Sequence, residues 1–329
     1  MIFFVSGAKN MEVSQINSSI KPRKERNGLI DLYRFLLSLV VAKSHSLFAF
    51  NGPYFGPGRV CVEFFFVLSG YLFFSFLEKS KDMSLRESLI KLFKTRFLPI
   101  CIPIAIAFVS NTVNCLLEGE FPNIWGYLWY VKSMLGLMIA LVVLRKLIKT
   151  DRGFFLTVAA IMAVALALKF SGLLYSWGDI RAASSLPMGI FIAMLPKIKP
   201  KYSFVTVLML VPVFALCLYI VGLELGNVEW LGIRIPELIL DNLLYPALVY
   251  LTFCLNCKCK LFSYLGALSF GIYAFQCPAD LMRTLGVNSS YVLFGFILLA
   301  SVAEDAGKRI YRYCRRRKIE VQKIEQDIA

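Results

Sequence analysis

The sequence contains a single histidine, His45, which lies in an apolar segment that also carries Asp31 and Arg34. Arg34 and His45 are eleven residues apart, so in a helix they project from nearly the same face, roughly 16 Å apart along the axis. Asp31 lies about one turn before Arg34, where it can form an ion pair with the guanidinium. Since imidazole is the side chain best suited to accept a proton near neutral pH, this face predicts a general base with a cation nearby.

A second acidic group follows in the next apolar segment, VEFFFVLSGYLF, where Glu63 lies close to the start. A short connection, NGPYFGPG, joins the two segments, so Glu63 is predicted at a membrane depth similar to that of His45. A carboxylate that accepts a hydrogen bond from one imidazole nitrogen leaves the other nitrogen basic. We therefore predict that His45 and Glu63 form a general-base pair. The alternatives are a structural role for His45, a packing role for Glu63, and a purely structural ion pair between Asp31 and Arg34.

These polar groups belong to a chain whose composition is that of a membrane protein. It is 58% hydrophobic and only 17% charged, with a mean hydropathy of +0.68. Apolar segments of about 20 residues recur along it, and each is long enough to cross about 30 Å of hydrocarbon. We predict an all-α polytopic membrane protein with about ten transmembrane helices and both termini in the cytoplasm. The predicted helices cover residues 28–50, 59–78, 96–116, 123–144, 153–172, 182–196, 203–222, 238–256, 261–281 and 288–307.

The net charge of +15 is explained by the membrane topology rather than by nucleic acid. With the N-terminus inside, Lys and Arg concentrate in the cytoplasmic connections, whereas the opposite side carries few of them, which is the positive-inside pattern. We call these cytoplasmic Lys and Arg residues the basic rim. Membrane lipids are its expected partners, and no nucleic acid is expected. We predict a basic cytoplasmic tail over residues 1–26 without a signal peptide, a transmembrane domain over residues 27–308, and a basic cytoplasmic tail over residues 309–329.

Three smaller features complete the prediction. The connection between the second and third helices, EKSKDMSLRESLIKLFKTR, predicts an amphipathic helix at the cytoplasmic surface, with Leu85, Leu89, Leu92 and Phe93 at helical spacing. Gly70 in the second helix is expected to permit close helix packing. The three cysteines of FCLNCKC lack the further ligands of a metal site, so no metal is predicted.

Several motifs together resemble acyltransferase family 3, the membrane-bound acyltransferases that modify bacterial surface glycans. Arg34 and His45 match its Arg-X10-His signature, and residues 62–73 are similar to its second-helix signature, an acidic residue followed by FFxLSG. Weaker similarities lie in KTRFLPI, YLWYV and YLGALSFGIYAFQCP, and Glu304 falls where the last helix usually carries Glu-x-Pro. The chain departs from the family in three places. Phe93 replaces a usual arginine, and Gln276 stands before Pro278 in place of a frequent histidine. The proline of the Glu-x-Pro motif is absent after Glu304.

The resemblance implies an acyl-CoA-dependent O-acetyltransferase of the bacterial inner membrane. Such an enzyme moves an acyl group, most often acetyl, from cytoplasmic acetyl-CoA to a hydroxyl of a surface polysaccharide or its lipid-linked oligosaccharide precursor, such as O-antigen, lipopolysaccharide or capsule. It implies catalytic roles for His45, Glu63 and Arg34. It also implies that Arg96, Lys94 and Arg34 bind the coenzyme A portion of the donor.

Two other functions stay open at this stage. The same polar groups suit a transporter or flippase of a glycan or small anion, in which His45 and Glu63 relay a proton. The absence of a visible internal repeat argues against transport, because secondary transporters are commonly built from repeats. A catalytically inactive scaffold is the third interpretation, since Gln276 and Phe93 replace residues that are usual in the family.

Overall fold

The structure is a computed structural model of the full chain, in which eleven stretches are described. They are residues 27–42, 58–121, 124–171, 178–199, 201–202, 204–209, 211–212, 229–230, 233–234, 238–255 and 257–328. The segment that contains His45 and most of the connection over residues 223–237 lie outside them.

Apart from one two-residue strand pair, the regular structure of these stretches is helical. The helices are α1 (Gly28–Ala42), α2 (Gly58–Ser80), α3 (Leu85–Leu92), α4 (Cys101–Leu117), α5 (Ile124–Leu147), α6 (Asp151–Phe170), α7 (Gly178–Met194), α8 (Tyr245–Cys254), α9 (Lys260–Ala274), α10 (Gln276–Thr284) and α11 (Ser290–Ile328). A π-helical turn, Leu240–Leu244, leads into α8. Residues 201–202, 204–209 and 211–212 are also helical. Strands β1 (Glu229–Trp230) and β2 (Ile233–Arg234) form an antiparallel pair.

Five helical stretches of the described chain are long and apolar enough to cross a membrane. They are Cys61–Ser80, Leu85–Leu117, Leu128–Leu147, Asp151–Phe170 and Ser290–Cys314. Many of their large apolar side chains are exposed, Ile102, Leu156 and Leu299 by more than 60%. Apolar surface on that scale is expected where lipid replaces water around the protein. The helical, membrane-spanning class is thus confirmed, whereas the count of ten helices and the cytoplasmic position of both termini stay predictions.

The predicted amphipathic segment is a helix, but it is not separate from the next one. Helix α3 begins with a capping box, in which the Ser84 hydroxyl accepts from the Glu87 amide at 3.2 Å and the Ser84 amide donates to the Glu87 carboxylate at 2.8 Å. It then continues through a π-helical turn, Phe93–Phe97, and a 3-10 turn, Leu98–Ile100, into α4. Since Pro99 has no amide hydrogen to donate, the altered turns let the helix pass it without ending. The third helix therefore begins at residue 85 rather than at 96.

The single helix predicted over residues 261–281 is wrong in one respect, because it is divided. Helix α9 ends at Ala274, Phe275 is not helical, and α10 starts at Gln276. The cause is Pro278, which cannot donate to the carbonyl of residue 274 and whose ring would collide with it in a continuous helix.

Two glycines of α2 and α7 bring these helices into backbone contact. A Cβ on Gly70 would lie 1.9 Å from the Leu186 carbonyl oxygen, and one on Gly189 would lie 2.0 Å from that of Val67. The prediction that Gly70 permits close packing is confirmed. Helices α1 and α9 cross in the same way, because a Cβ on Gly266 would lie 2.4 Å from that of Asp31. These two crossings fix how α2 packs against α7 and how α1 packs against α9.

Candidate functional site

Arg34 is held on α1 by the residue one turn before it. Its Nη1 donates to Oδ1 of Asp31 at 3.0 Å, and the Asp31 side chain is almost fully buried against Gly266 of α9. The predicted ion pair is therefore present. Because the carboxylate anchors one edge of the guanidinium, Arg34 is oriented rather than free to swing, and about a quarter of its side chain stays exposed.

This exposed part lines a partly open cavity of about 290 Å³, which we call the Arg34–Arg96 cavity. Its walls come from α1, α2, the π-helical turn Phe93–Phe97, α5 and α9. Aromatic and aliphatic side chains such as Phe65, Leu68 and Met138 form much of the surface. A cavity with apolar walls and a few polar groups is typical of a site for a small organic ligand.

Arg96 reaches the cavity from the π-helical turn. Its Nη2 donates to the backbone carbonyl of Leu72 on α2 at 3.1 Å, which places the guanidinium beside the same space as Arg34. The structure thus brings together two of the residues that were predicted to bind the donor. Lys94, the third, is exposed on the same turn and is not among the described residues that line the cavity.

Two hydroxyl groups also line the cavity, those of Ser69 on α2 and Tyr130 on α5. The two oxygens are 3.4 Å apart, and each lies 3.3 Å from the sulfur of Met134. The Tyr130 ring packs against Phe66 with centroids 4.8 Å apart, and edge-to-face against Tyr273 at 5.8 Å. These ring contacts fix the position of the Tyr130 hydroxyl inside an apolar wall.

Glu63 is fully buried and takes part in a cluster of charges. Its Oε1 accepts from Nε of Arg181 on α7 at 2.6 Å and from Nζ of Lys169 on α6 at 3.2 Å. Its Oε2 accepts from the hydroxyl of Ser185, one turn after Arg181. Lys169 also donates to Oδ2 of Asp241 at 2.8 Å. Glu63, Lys169, Arg181 and Asp241 form what we call the buried ion cluster, in which two anions balance two cations.

The other three members of this cluster, Lys169, Arg181 and Asp241, were not predicted from the sequence as partners. Lys169 and Asp241 did carry a signal, because both lie inside predicted apolar spans, and an ionisable group in a membrane needs a partner. Arg181 lies just before the predicted span over residues 182–196, yet it is one of the most completely buried large side chains. The sequence gives no direct clue to which of these groups meet, since they are 72 to 118 residues apart.

His45, the predicted partner of Glu63, lies outside the described residues. Glu63 itself lies next to Val62, which lines the Arg34–Arg96 cavity. The cavity and the buried ion cluster therefore use neighbouring residues of α2. Among the described residues, no group of three or more His, Cys, Asp or Glu side chains is placed to hold a metal ion.

The comparison with protein families gives one match, and it covers most of the chain. Residues 27–303 match a family described as an acyltransferase domain, acyltransferase family 3. No match was found among curated proteins, and none among solved structures. The matched range includes every residue that lines the cavity and all four members of the buried ion cluster.

Proposed function

The chain belongs to acyltransferase family 3, and from this premise we propose that it moves an acyl group, most often acetyl, from cytoplasmic acyl-CoA to a sugar hydroxyl. The acceptor is a bacterial surface polysaccharide, or its lipid-linked precursor, at the inner membrane. The chain is a membrane acyltransferase, and the donor, the acceptor and the catalytic base are the parts of this proposal that await experiment.

The observation that supports a coenzyme A donor is the Arg34–Arg96 cavity. Coenzyme A carries phosphate groups at one end and an uncharged pantetheine arm with the thioester at the other. A cavity of about 290 Å³ lies at the lower limit of about 300–1,000 Å³ for sites that hold drug-sized ligands. It therefore suits the acyl-pantetheine end, while the phosphates stay at the basic rim, where arginines can form charge-assisted hydrogen bonds.

The chemistry requires a base, because a sugar hydroxyl is a poor nucleophile. In this proposal His45 takes the hydroxyl proton as the oxygen attacks the thioester carbonyl, and the proton then goes to the departing thiolate. Val41, one turn before His45 in the sequence, lines the cavity, as does Val62 beside Glu63. These positions support delivery of the acyl group toward the C-terminal end of α1, three residues before His45 in the sequence.

The transporter alternative gains little from the buried ion cluster. A pathway for protons or anions needs groups that water or substrate can reach. All four members of the cluster have side chains that are at most 2% exposed, and their charges compensate one another. The cluster is better suited to holding helices in place than to conducting ions.

The proposal is tested by mass spectrometry of surface glycans from cells with the wild-type protein, with His45→Ala or without the protein. We expect an acetyl mass increment that is present with the wild type and lost with the variant at equal membrane expression. An increment that survives His45→Ala would remove the imidazole from the mechanism. No increment in any glycan, with no acyl-CoA consumed, would favour the transporter or the scaffold.

The donor site is tested in the same cells through membrane preparations. We expect Arg96→Gln to raise the KM for acetyl-CoA more than it lowers the maximal rate, because the guanidinium is proposed to bind the donor rather than the reacting atoms. Lys91→Gln is the matched control, since Lys91 lies on the same continuous helix and its Nζ contacts the sulfur of Met83 instead of the cavity. An equal rise in both variants would indicate a general effect of lost basic charge.

A further inference from the structure

The hydroxyls of Ser69 and Tyr130 are placed as a pair, and nothing in the mechanism above uses them. They come from α2 and α5, lie 3.4 Å apart, and both line the Arg34–Arg96 cavity. We propose that they form the oxyanion hole of the acyltransfer, donating hydrogen bonds to the thioester oxygen as it becomes negatively charged. This inference rests on the proposed function, because it needs a thioester donor in the cavity.

The hydrogen bonds that these hydroxyls make without a ligand are weak and easily exchanged. Both oxygens lie 3.3 Å from the Met134 sulfur, and a thioether is a poor acceptor. A negatively charged oxygen is a far better one, since hydrogen bonds to ionised groups are about twice as strong as neutral ones. The donors therefore gain much by turning to an oxyanion and lose little by leaving the sulfur.

The surroundings of the pair favour the same role. Tyr130 is held by its ring contacts with Phe66 and Tyr273, so its hydroxyl does not need to be ordered during the reaction. Phe65 and Leu68 keep the local dielectric constant low, which strengthens an electrostatic contact with developing charge. Arg34 lines the same cavity, and its positive charge stabilises an oxygen that becomes negatively charged there.

The step balances without any further reagent. The acceptor oxygen bonds to the thioester carbonyl carbon while the base takes the hydroxyl proton, and the π electrons of the C=O bond move onto its oxygen. Ser69 and Tyr130 donate to that oxyanion. When the electron pair returns, the carbon–sulfur bond breaks, coenzyme A leaves as the thiolate, and the base returns the proton to it. The products are the ester and the free thiol.

The test uses membranes that contain the native acceptor, with radiolabelled acetyl-CoA as the probe, and the variants Tyr130→Phe and Ser69→Ala. We expect each variant to lower the maximal rate of label incorporation on the order of 10²-fold, which is typical of losing one oxyanion donor. Affinity of the purified variants for S-ethyl-CoA, which has no carbonyl oxygen, should equal that of the wild type. Ser80→Ala is the matched control, because the Ser80 hydroxyl on the same helix donates to the Leu77 carbonyl, and neither residue lines the cavity.

Each other outcome has a definite meaning. Wild-type rates in both variants would overturn the inference while leaving the proposed function in place. Lower rates that are matched by equal losses of S-ethyl-CoA binding would also overturn it, because the two residues would then only shape the cavity. Wild-type membranes that incorporate no label and release no coenzyme A thiol would overturn the proposed function and this inference with it.

Discussion

At the scale of single residues, the buried ion cluster carries a large desolvation cost, because its four charged side chains are almost fully buried. Moving a charged group out of water costs several kcal/mol per ion in real proteins, and mutual attraction repays this only when the geometry is good. Lys169 is the central member, since its Nζ contacts both Glu63 at 3.2 Å and Asp241 at 2.8 Å. Removing it leaves two buried carboxylates with only one cation between them.

We therefore expect Lys169→Met to destabilise the protein by roughly 3–5 kcal/mol, the cost of removing one partner of a buried ion pair. The measurement is thermal unfolding of the purified protein in detergent. The surface variant Lys132→Met is the control, because Lys132 pairs with Asp179 at 3.5 Å where both side chains are largely exposed. Its effect should lie within about 1 kcal/mol.

The double variant Lys169→Met with Asp241→Asn makes this prediction sharper. It removes one cation and one anion together, so that Glu63 keeps Arg181 and Ser185 as partners. We expect it to be clearly more stable than Lys169→Met alone. If the double variant is as unstable as the single one, loss of the lysine side chain as a packing group, and not charge imbalance, is the cause.

The residue scale also shows what the sequence can and cannot predict about the site. The polar face of α1 and the acidic residue of α2 follow from helical spacing and from the cost of charge in a membrane, and the Asp31–Arg34 pair is confirmed. Local spacing carries no information about the Lys169 and Arg181 partners of Glu63, because they lie on other helices. The cluster is decided by how those helices pack.

At the scale of elements, that packing depends on glycine. Helices in a membrane gain no hydrophobic stabilisation from association, so they rely on close van der Waals contact that small residues permit. Gly70 and Gly189 provide it reciprocally, each facing a backbone carbonyl of the other helix. This crossing sets the position of α7 against α2, and hence the distance from Arg181 to Glu63.

We expect Gly70→Ala and Gly189→Ala each to reduce the yield of folded protein strongly. An added Cβ would come within 1.9 Å or 2.0 Å of a backbone oxygen, which a side-chain rotation cannot relieve. The measurement is the fraction of monodisperse protein after detergent extraction. Gly136→Ala is the matched control, because a Cβ there meets nothing within 4 Å. That variant should be as stable as the wild type or gain up to about 1 kcal/mol from helix propensity.

Helix boundaries show where sequence patterns become less informative. Apolar spacing identified a helical segment at Leu85–Leu92 but treated it as separate from the span that follows, although the helix passes Pro99 without ending. Conversely, the apolar segment over residues 261–281 predicted one continuous helix, whereas the helix is interrupted at Phe275. Both differences arise near a proline, Pro99 in one case and Pro278 in the other. Whether proline ends a helix or only distorts it depends on the turns that its neighbours can adopt.

At the scale of the whole molecule, the arrangement of basic residues is consistent with one orientation in the membrane. Helix α11 has 39 residues and is therefore about 58 Å long, whereas the hydrocarbon core is about 30 Å thick. Its first part is apolar, and its second part carries the RIYRYCRRRK sequence. The basic half must extend beyond the hydrocarbon, and the positive-inside pattern predicts that it does so on the cytoplasmic side.

This orientation can be tested with cysteines at the two ends of α11. Cys314 is exposed in the basic half, and Asn288 is exposed just before the helix begins. In intact spheroplasts, a membrane-impermeant maleimide should label Asn288→Cys but should label Cys314 only after the membrane is permeabilised. The two variants share a background in which the remaining cysteines are replaced by alanine. The reverse labelling pattern would place the basic rim outside. Both arginines of the Arg34–Arg96 cavity lie at the helix ends that carry the basic connections. The cavity could then no longer be assigned to a cytoplasmic acyl-CoA donor.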